Sequence, residues 1–230
     1  MKRLLSLSLI LISFCFQSKA QFNEDQMGAW YMYFYDFNPE SSKFGVQGDL
    51  QYRNWNTLGD LEQLLIRSGV TYRPEGMGIK FTLGFANITT GAFGESNQTV
   101  KENRIYQEAL FSNAFGKRIK LTHRFRYEQR WVENQDLRTR YRYNLFWNTA
   151  LNNKLFTPGC IYLALYNELF INGQRDIGNG NTVEIFDRNR FYTAIGYMIK
   201  EGMKVQLGHM LQTTNNWEKG QIQLSFHHNF

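Results

Sequence analysis

Residues 118–148, RIKLTHRFRYEQRWVENQDLRTRYRYNLFWN, decide how the chain is read. Side chains on a strand point to alternate faces with a period of two. Ile119, Leu121, Phe125, Tyr127 and Trp131 alternate with Lys120, Thr122, Arg124, Arg126, Glu128 and Arg130. After a short loop, Leu137, Thr139, Tyr141, Tyr143, Leu145 and Trp147 alternate with Arg138, Arg140, Arg142, Asn144 and Asn148. The stretch is therefore two strands with one largely apolar face and one arginine-dense face. A soluble sheet would turn those arginines to water, whereas a transmembrane barrel would turn them into its lumen.

Working outward, the same alternation recurs. Met27–Phe37 is an aromatic run, and Lys43–Asn54 sets Phe44, Val46, Leu50 and Tyr52 against Gln47, Asp49, Gln51 and Arg53. Glu62–Arg73, Gly78–Thr89 and Arg104–Phe115 precede the quoted hairpin. Cys160–Asn172, Ile185–Ile199, a segment from Met203 and a last one from Gln221 to Phe230 follow it. Short turns (Pro74–Met77, Gly116-Lys117, Glu201-Gly202) are interleaved with longer polar loops (Thr90–Asn103, Gly173–Asn181).

Segments of about 10–13 residues exceed the ~5–6 usual in soluble strands and match the ~9–11 that cross a bilayer. The short-turn, long-loop asymmetry is that of outer-membrane barrels. The closing Phe230 resembles an outer-membrane assembly signal. A secreted sandwich or a closed soluble barrel would also alternate and is the rival reading. The expected fold is all-β: an antiparallel up-and-down transmembrane β-barrel. Eleven segments can be read, but bacterial single-chain barrels carry an even number, so the expectation is ten to twelve strands. Trp30, Tyr72, Trp131, Trp147 and Tyr197 lie near segment ends and fit interfacial aromatic girdles, or equally a buried core.

Lys2 and Arg3, the apolar run Leu4–Phe16 and the small-residue site Ser18-Lys19-Ala20 read as a cleaved signal peptide over residues 1–20. Residues 21–230 form the single remaining domain. The apolar run is short of the ~20 residues of a membrane-spanning helix. Phe14 before Cys15 disfavours lipid anchoring, and Cys160 then stands alone, so no internal disulfide is expected. Cleavage takes away Lys2, Arg3 and Lys19 and lowers the formal net charge from +6 to +3. No nucleic-acid partner is expected at that charge; what matters is where the charges sit. Aromatics at 16% and 3 prolines favour strands. The mean hydropathy of −0.47 is compatible with a barrel in which every second residue faces a polar lumen.

Gln51-Tyr52-Arg53, Arg104 with Gln107, Glu128-Gln129-Arg130, Arg138 with Arg140-Tyr141-Arg142, Asn167-Glu168 with Phe170 and Asn172, Arg188-Asn189-Arg190 and Gly196-Tyr197 resemble, in order and spacing, the bacterial family called domain of unknown function 2490. Arg188 stands where glutamine is expected. The resemblance spans nearly the whole mature chain. It implies an outer-membrane barrel and no particular activity.

The expected site is the arginine face: Arg124, Arg126, Glu128, Arg130, Arg138, Arg140, Arg142, Glu168, Arg188 and Arg190. One reading is a narrow pore or binding barrel for small anionic solutes, since guanidinium groups grip carboxylate or phosphate bidentately. The other is a structural or surface-interaction barrel whose lumen is closed by arginine–glutamate pairs, with the long loops meeting a partner. A third class, a lipid-acting hydrolase, rests only on Ser225 and His227 sharing a face; His123, His209 and His228 fall on the outer face. No enzyme, no cofactor and no metal site is expected, as Cys and His spacing matches no ligand pattern. The expected partners are outer-membrane lipid and the barrel-assembly machinery.

Overall fold

The alternation closes on itself in the computed structural model, which describes residues 27–94, 97–153 and 155–230. The segment read as a signal peptide, with Cys15, lies outside the described residues, as does Lys154. The first five strands are β1 (Gly28–Phe37), β2 (Phe44–Asn54), β3 (Leu61–Tyr72), β4 (Ile79–Gly91) and β5 (Thr99–Phe115). The quoted hairpin is β6 (Ile119–Val132) and β7 (Arg138–Ala150). Then come β8 (Ile161–Asn172), β9 (Phe186–Lys200), β10 (Met203–Thr213) and β11 (Glu218–Asn229).

Each strand pairs with its neighbour in sequence, and β1 pairs with β11 to close the barrel. All eleven segments read from the sequence are strands. Eleven lies within the expected ten to twelve, and the consequence of an odd count is visible at the seam. In an up-and-down meander an odd last strand runs the same way as the first, so β1 and β11 pair in parallel, from Gly28 opposite Gln221 to Asp36 opposite Asn229. The barrel is thus mixed rather than wholly antiparallel. Its seam carries the slanted bonds of a parallel pair, slightly weaker per residue.

This topology gives the barrel two ends. The connections after β2, β4, β6, β8 and β10 share the end where β1 begins; the other connections share the end where β11 finishes. The first is the loop end and the second the turn end. Gly202, at φ +73°, makes the tight β9–β10 turn that its Glu-Gly pair announces. Residues 151–160 break the expected pattern of short turns at that end. Their Phe156 packs edge-on against the Tyr162 ring, 5.5 Å away, beside a cluster of Ala150, Cys160, Tyr162, Ala164, Tyr192 and Ala194.

The outer face is apolar. Leu50, Ile66, Val70, Phe81, Leu83, Phe85, Phe125, Phe191, Ile195, Leu207 and Leu224 are all exposed. Tyr72, Trp131, Trp147 and Tyr197 also point outward. Trp30 does not: at 3% exposure it faces inward, which corrects its reading as a girdle residue. The reason is parity, since Trp30 shares its face with Met32, Phe34 and Asp36, which line the interior.

Candidate functional site: the barrel interior

Strand register brings the arginine faces of separate strands into one network. Across β6 and β7, Glu128 lies opposite Arg140, flanked by Arg126 opposite Arg142 and Arg130 opposite Arg138. Across β5 and β6, Glu108 lies opposite Arg126 and Arg104 opposite Arg130. Like charges directly opposite would repel. Here Arg104, Arg126, Arg130, Arg140 and Arg142 each bond a carboxylate instead, opposite, diagonal or on the same strand. Glu102 receives both Arg104 (2.5 Å) and Arg130 (2.5 Å). Glu128, 1% exposed, receives Arg140 (2.6 Å) and Arg142 (2.6 Å). Glu168 receives Arg142 (2.5 Å) and Arg124 (2.7 Å), and Glu108 receives Arg126 (2.5 Å) and Gln47 (3.0 Å). Asp187 ties Arg140 (2.7 Å) to Arg188 (2.9 Å).

Aromatic rings brace the guanidinium groups. The Phe170 ring lies within 4.4 Å of Arg142, 4.8 Å of Arg190, 5.2 Å of Arg140 and 6.0 Å of Arg188. Trp30 carries Arg53 at 3.8 Å and Arg190 at 4.8 Å. Tyr106 lies under Arg126 at 4.5 Å. The ring of Tyr106 crosses Gly84, where a Cβ would overlap it, so that glycine is the space the ring occupies.

All ten residues expected at the site project inward. Arg138 stands at the loop end and bonds Gln135 of the β6–β7 loop (2.9 Å), and Glu128 is sealed behind its arginines. The other eight line an internal cavity of about 690 Å³. Sequence reasoning left out Asp49, Glu102, Glu108 and Asp187 as countercharges, and Arg53, Arg67 and Arg104 as cations. Glu102 was missed because the β4–β5 loop was expected to reach Asn103, whereas β5 begins at Thr99. Stepping back two residues from Arg104 along the strand would have found it. Asp49 and Arg53 share the alternation already read for Gln51, and Asp49 is bonded to Arg67 at 2.8 Å.

Among the described residues, ten arginines and two lysines line the cavity against five carboxylates: Asp36, Asp49, Glu102, Glu108 and Glu168. The excess is not spread evenly. The β9–β11 side presents Gln206, Gln223, Ser225 and Tyr192, neutral groups that can bond hydroxyls. Ser225 Oγ and His227 Nε2 are 3.1 Å apart there. The His227 ring stacks on Phe34 (4.7 Å) and lies opposite Lys204, and the hydrogen bonds of the described residues give it no carboxylate to orient it. His123, His209 and His228 lie on the outer face. No group of His, Cys, Asp and Glu among the described residues could hold a metal ion.

The class of protein is thereby defined: a closed eleven-stranded β-barrel with an apolar exterior and a charge-networked interior. A family model described as "Protein of unknown function (DUF2490)" matches residues 27–223, and the chain belongs to that family. No curated protein and no solved structure matches the chain.

Proposed function

We propose that this protein is an outer-membrane β-barrel whose arginine-lined interior binds small anionic solutes and gives them a narrow path. Export follows from the signal-like residues 1–20, and assembly would engage outer-membrane lipid and the barrel-assembly machinery. The exterior supports membrane insertion, because so continuous an apolar surface is not kept in water by a monomeric soluble protein. Strands of 10 to 17 residues are also long enough to cross.

The observation that carries the anion reading is the set of inward cations with no carboxylate partner. Among the described residues, Arg53, Arg138, Arg190, Lys120 and Lys204 have no ion pair, although all but Arg138 line the cavity. Fixed positive charge in a low-dielectric pore attracts anions and repels cations. Purified barrel in planar bilayers under a salt gradient should pass an anion-selective current. Cation preference would overturn this reading. Heat-dependent gel mobility of the membrane fraction tests insertion, and a detergent-free soluble monomer would overturn it.

One observation favours a second reading, a closed structural barrel. Glu102, Glu128 and Glu168 are each bonded to two arginines, and Glu108 to Arg126 and Gln47, which spans the lumen from β2 to β5. In that case the bilayers carry no current, and the loop at residues 173–185 offers a surface to meet a partner.

A further inference from the structure

Among the described residues eight arginines are buried, and six of them hold a carboxylate: Arg67, Arg104, Arg126, Arg130, Arg140 and Arg142. The two exceptions share one ring. Arg53 and Arg190, 6% and 8% exposed, both lie over the indole of Trp30. Arg53 donates to Gln51 Oε1 through Nε (3.0 Å) and Nη2 (2.5 Å), and to Gln63 Oε1 through Nη1 (2.7 Å). Arg190 donates to Gln212 Oε1 through Nε alone (2.7 Å). Its Nη1 and Nη2 bond no acceptor among the described residues. Glu168 lies opposite Arg190 in register, but its bonded oxygen is taken by Arg124 and Arg142. The indole Nε1 of Trp30, itself 3% exposed, also has no partner.

A desolvated guanidinium without a counterion is costly, and this barrel avoids the cost at every other buried arginine. We propose that Arg190 and Arg53, on the shared plate of Trp30, form a binding site for the carboxylate of a hydroxyl-bearing organic acid, the chemistry of a sugar acid. This rests on the anion-binding reading of the lumen and names its ligand class. The free edge of Arg190 presents two parallel N–H groups, which match the two oxygens of a planar carboxylate. The surroundings select what the carboxylate is attached to. Gln223 and the hydroxyl of Tyr166, 3.4 Å apart, offer neutral donors and acceptors. The stacked rings of Tyr166 and Tyr192, 4.7 Å between centroids, offer an apolar face for the C–H side of a ring. No further charge is needed for such a ligand.

The test is calorimetric titration of the detergent-purified barrel with galacturonate, galactose and inorganic phosphate. Galacturonate should bind saturably, phosphate at least about tenfold more weakly, and galactose not measurably. Arg190→Gln should weaken galacturonate at least about tenfold, the cost of one charge-assisted bond pair. Lys117→Gln, in the β5–β6 turn, should leave it unchanged. Arg190→Lys keeps the charge but loses the fork, so it should also weaken binding, and it covers the case in which Arg190→Gln does not fold. Equal affinity for phosphate would overturn the carboxylate assignment, and binding of galactose would overturn the need for charge. Unchanged galacturonate affinity in the Arg190 and Arg53→Gln variants would overturn the site. If anion-selective current persists but neither galacturonate nor Arg190→Gln alters it, this site is wrong and the lumen reading stands. If galacturonate binds but no anion current flows, the site stands and the path is wrong.

Discussion

The two walls of the lumen are built on opposite principles. From β5 to β8 arginines and carboxylates cluster at the inward positions, and Glu102, Glu108, Glu128 and Glu168 are each shared by two donors. From β9 through β11 to β1 the inward positions are mostly amides, hydroxyls and rings, among them Tyr192, Gln206, Gln212, Gln221, Gln223, Ser225 and Trp30, interspersed with Arg188, Arg190, Lys204, Lys219 and Asp36. Every carboxylate of the charged wall is held by arginines of that same wall, so it is the scaffold that holds the barrel's shape. The other wall leaves the indole Nε1 of Trp30 without a partner, and among the described residues Arg190 on it and Arg53 beside it have no ion pair. Charge density is thus a poor guide to where a ligand goes; unspent hydrogen-bonding capacity is a better one.

The largest expected effect tests the scaffold. Glu128→Gln removes the charge between Arg140 and Arg142 and should destabilise the barrel by about 3–5 kcal/mol, read from denaturant unfolding in lipid or detergent. A loss under about 1 kcal/mol would erase the distinction between the walls. Trp30→Leu comes next. It removes two desolvated cation–π contacts and should cost about 2 kcal/mol by the same measurement.

Selectivity should respond in the opposite order. Arg190→Gln should move the reversal potential of the bilayer current towards zero while leaving most of the stability in place. A shift no larger than that of a turn substitution such as Lys117→Gln would put the selective charge elsewhere. The smallest expected effect comes from salt. Raising ionic strength from 0.1 to 1 M shortens the screening length from about 10 to 3 Å. Unfolding stability should change by less than about 0.5 kcal/mol, since the network pairs are buried, while anion selectivity falls.

Much of this was open to reading in the sequence. The eleven segments, the facing of the hairpin and the inward direction of all ten charged positions follow from local alternation. The errors have local causes too. Thr99 to Asn103 read as loop because the preceding residues are rich in glycine, serine and asparagine, and this hides Glu102. Trp30 lies near a strand end, as a girdle residue would, but its parity with Met32 and Asp36 turns it inward. The strand count of eleven follows from the chain's own alternation, although even numbers are the rule in other single-chain barrels.

The sequence by itself determined which face each side chain takes, because the alternation of Cβ directions is built into an extended backbone. The tertiary structure alone decided which charges meet. Glu168 of β8 binds Arg124 two strands away, Gln47 reaches Glu108 three strands away, and Trp30 of β1 receives Arg190 of β9. Those meetings depend on strand number, register and the parallel seam that closes the circle. Such quantities belong to the whole circumference, and no local stretch of sequence encodes them.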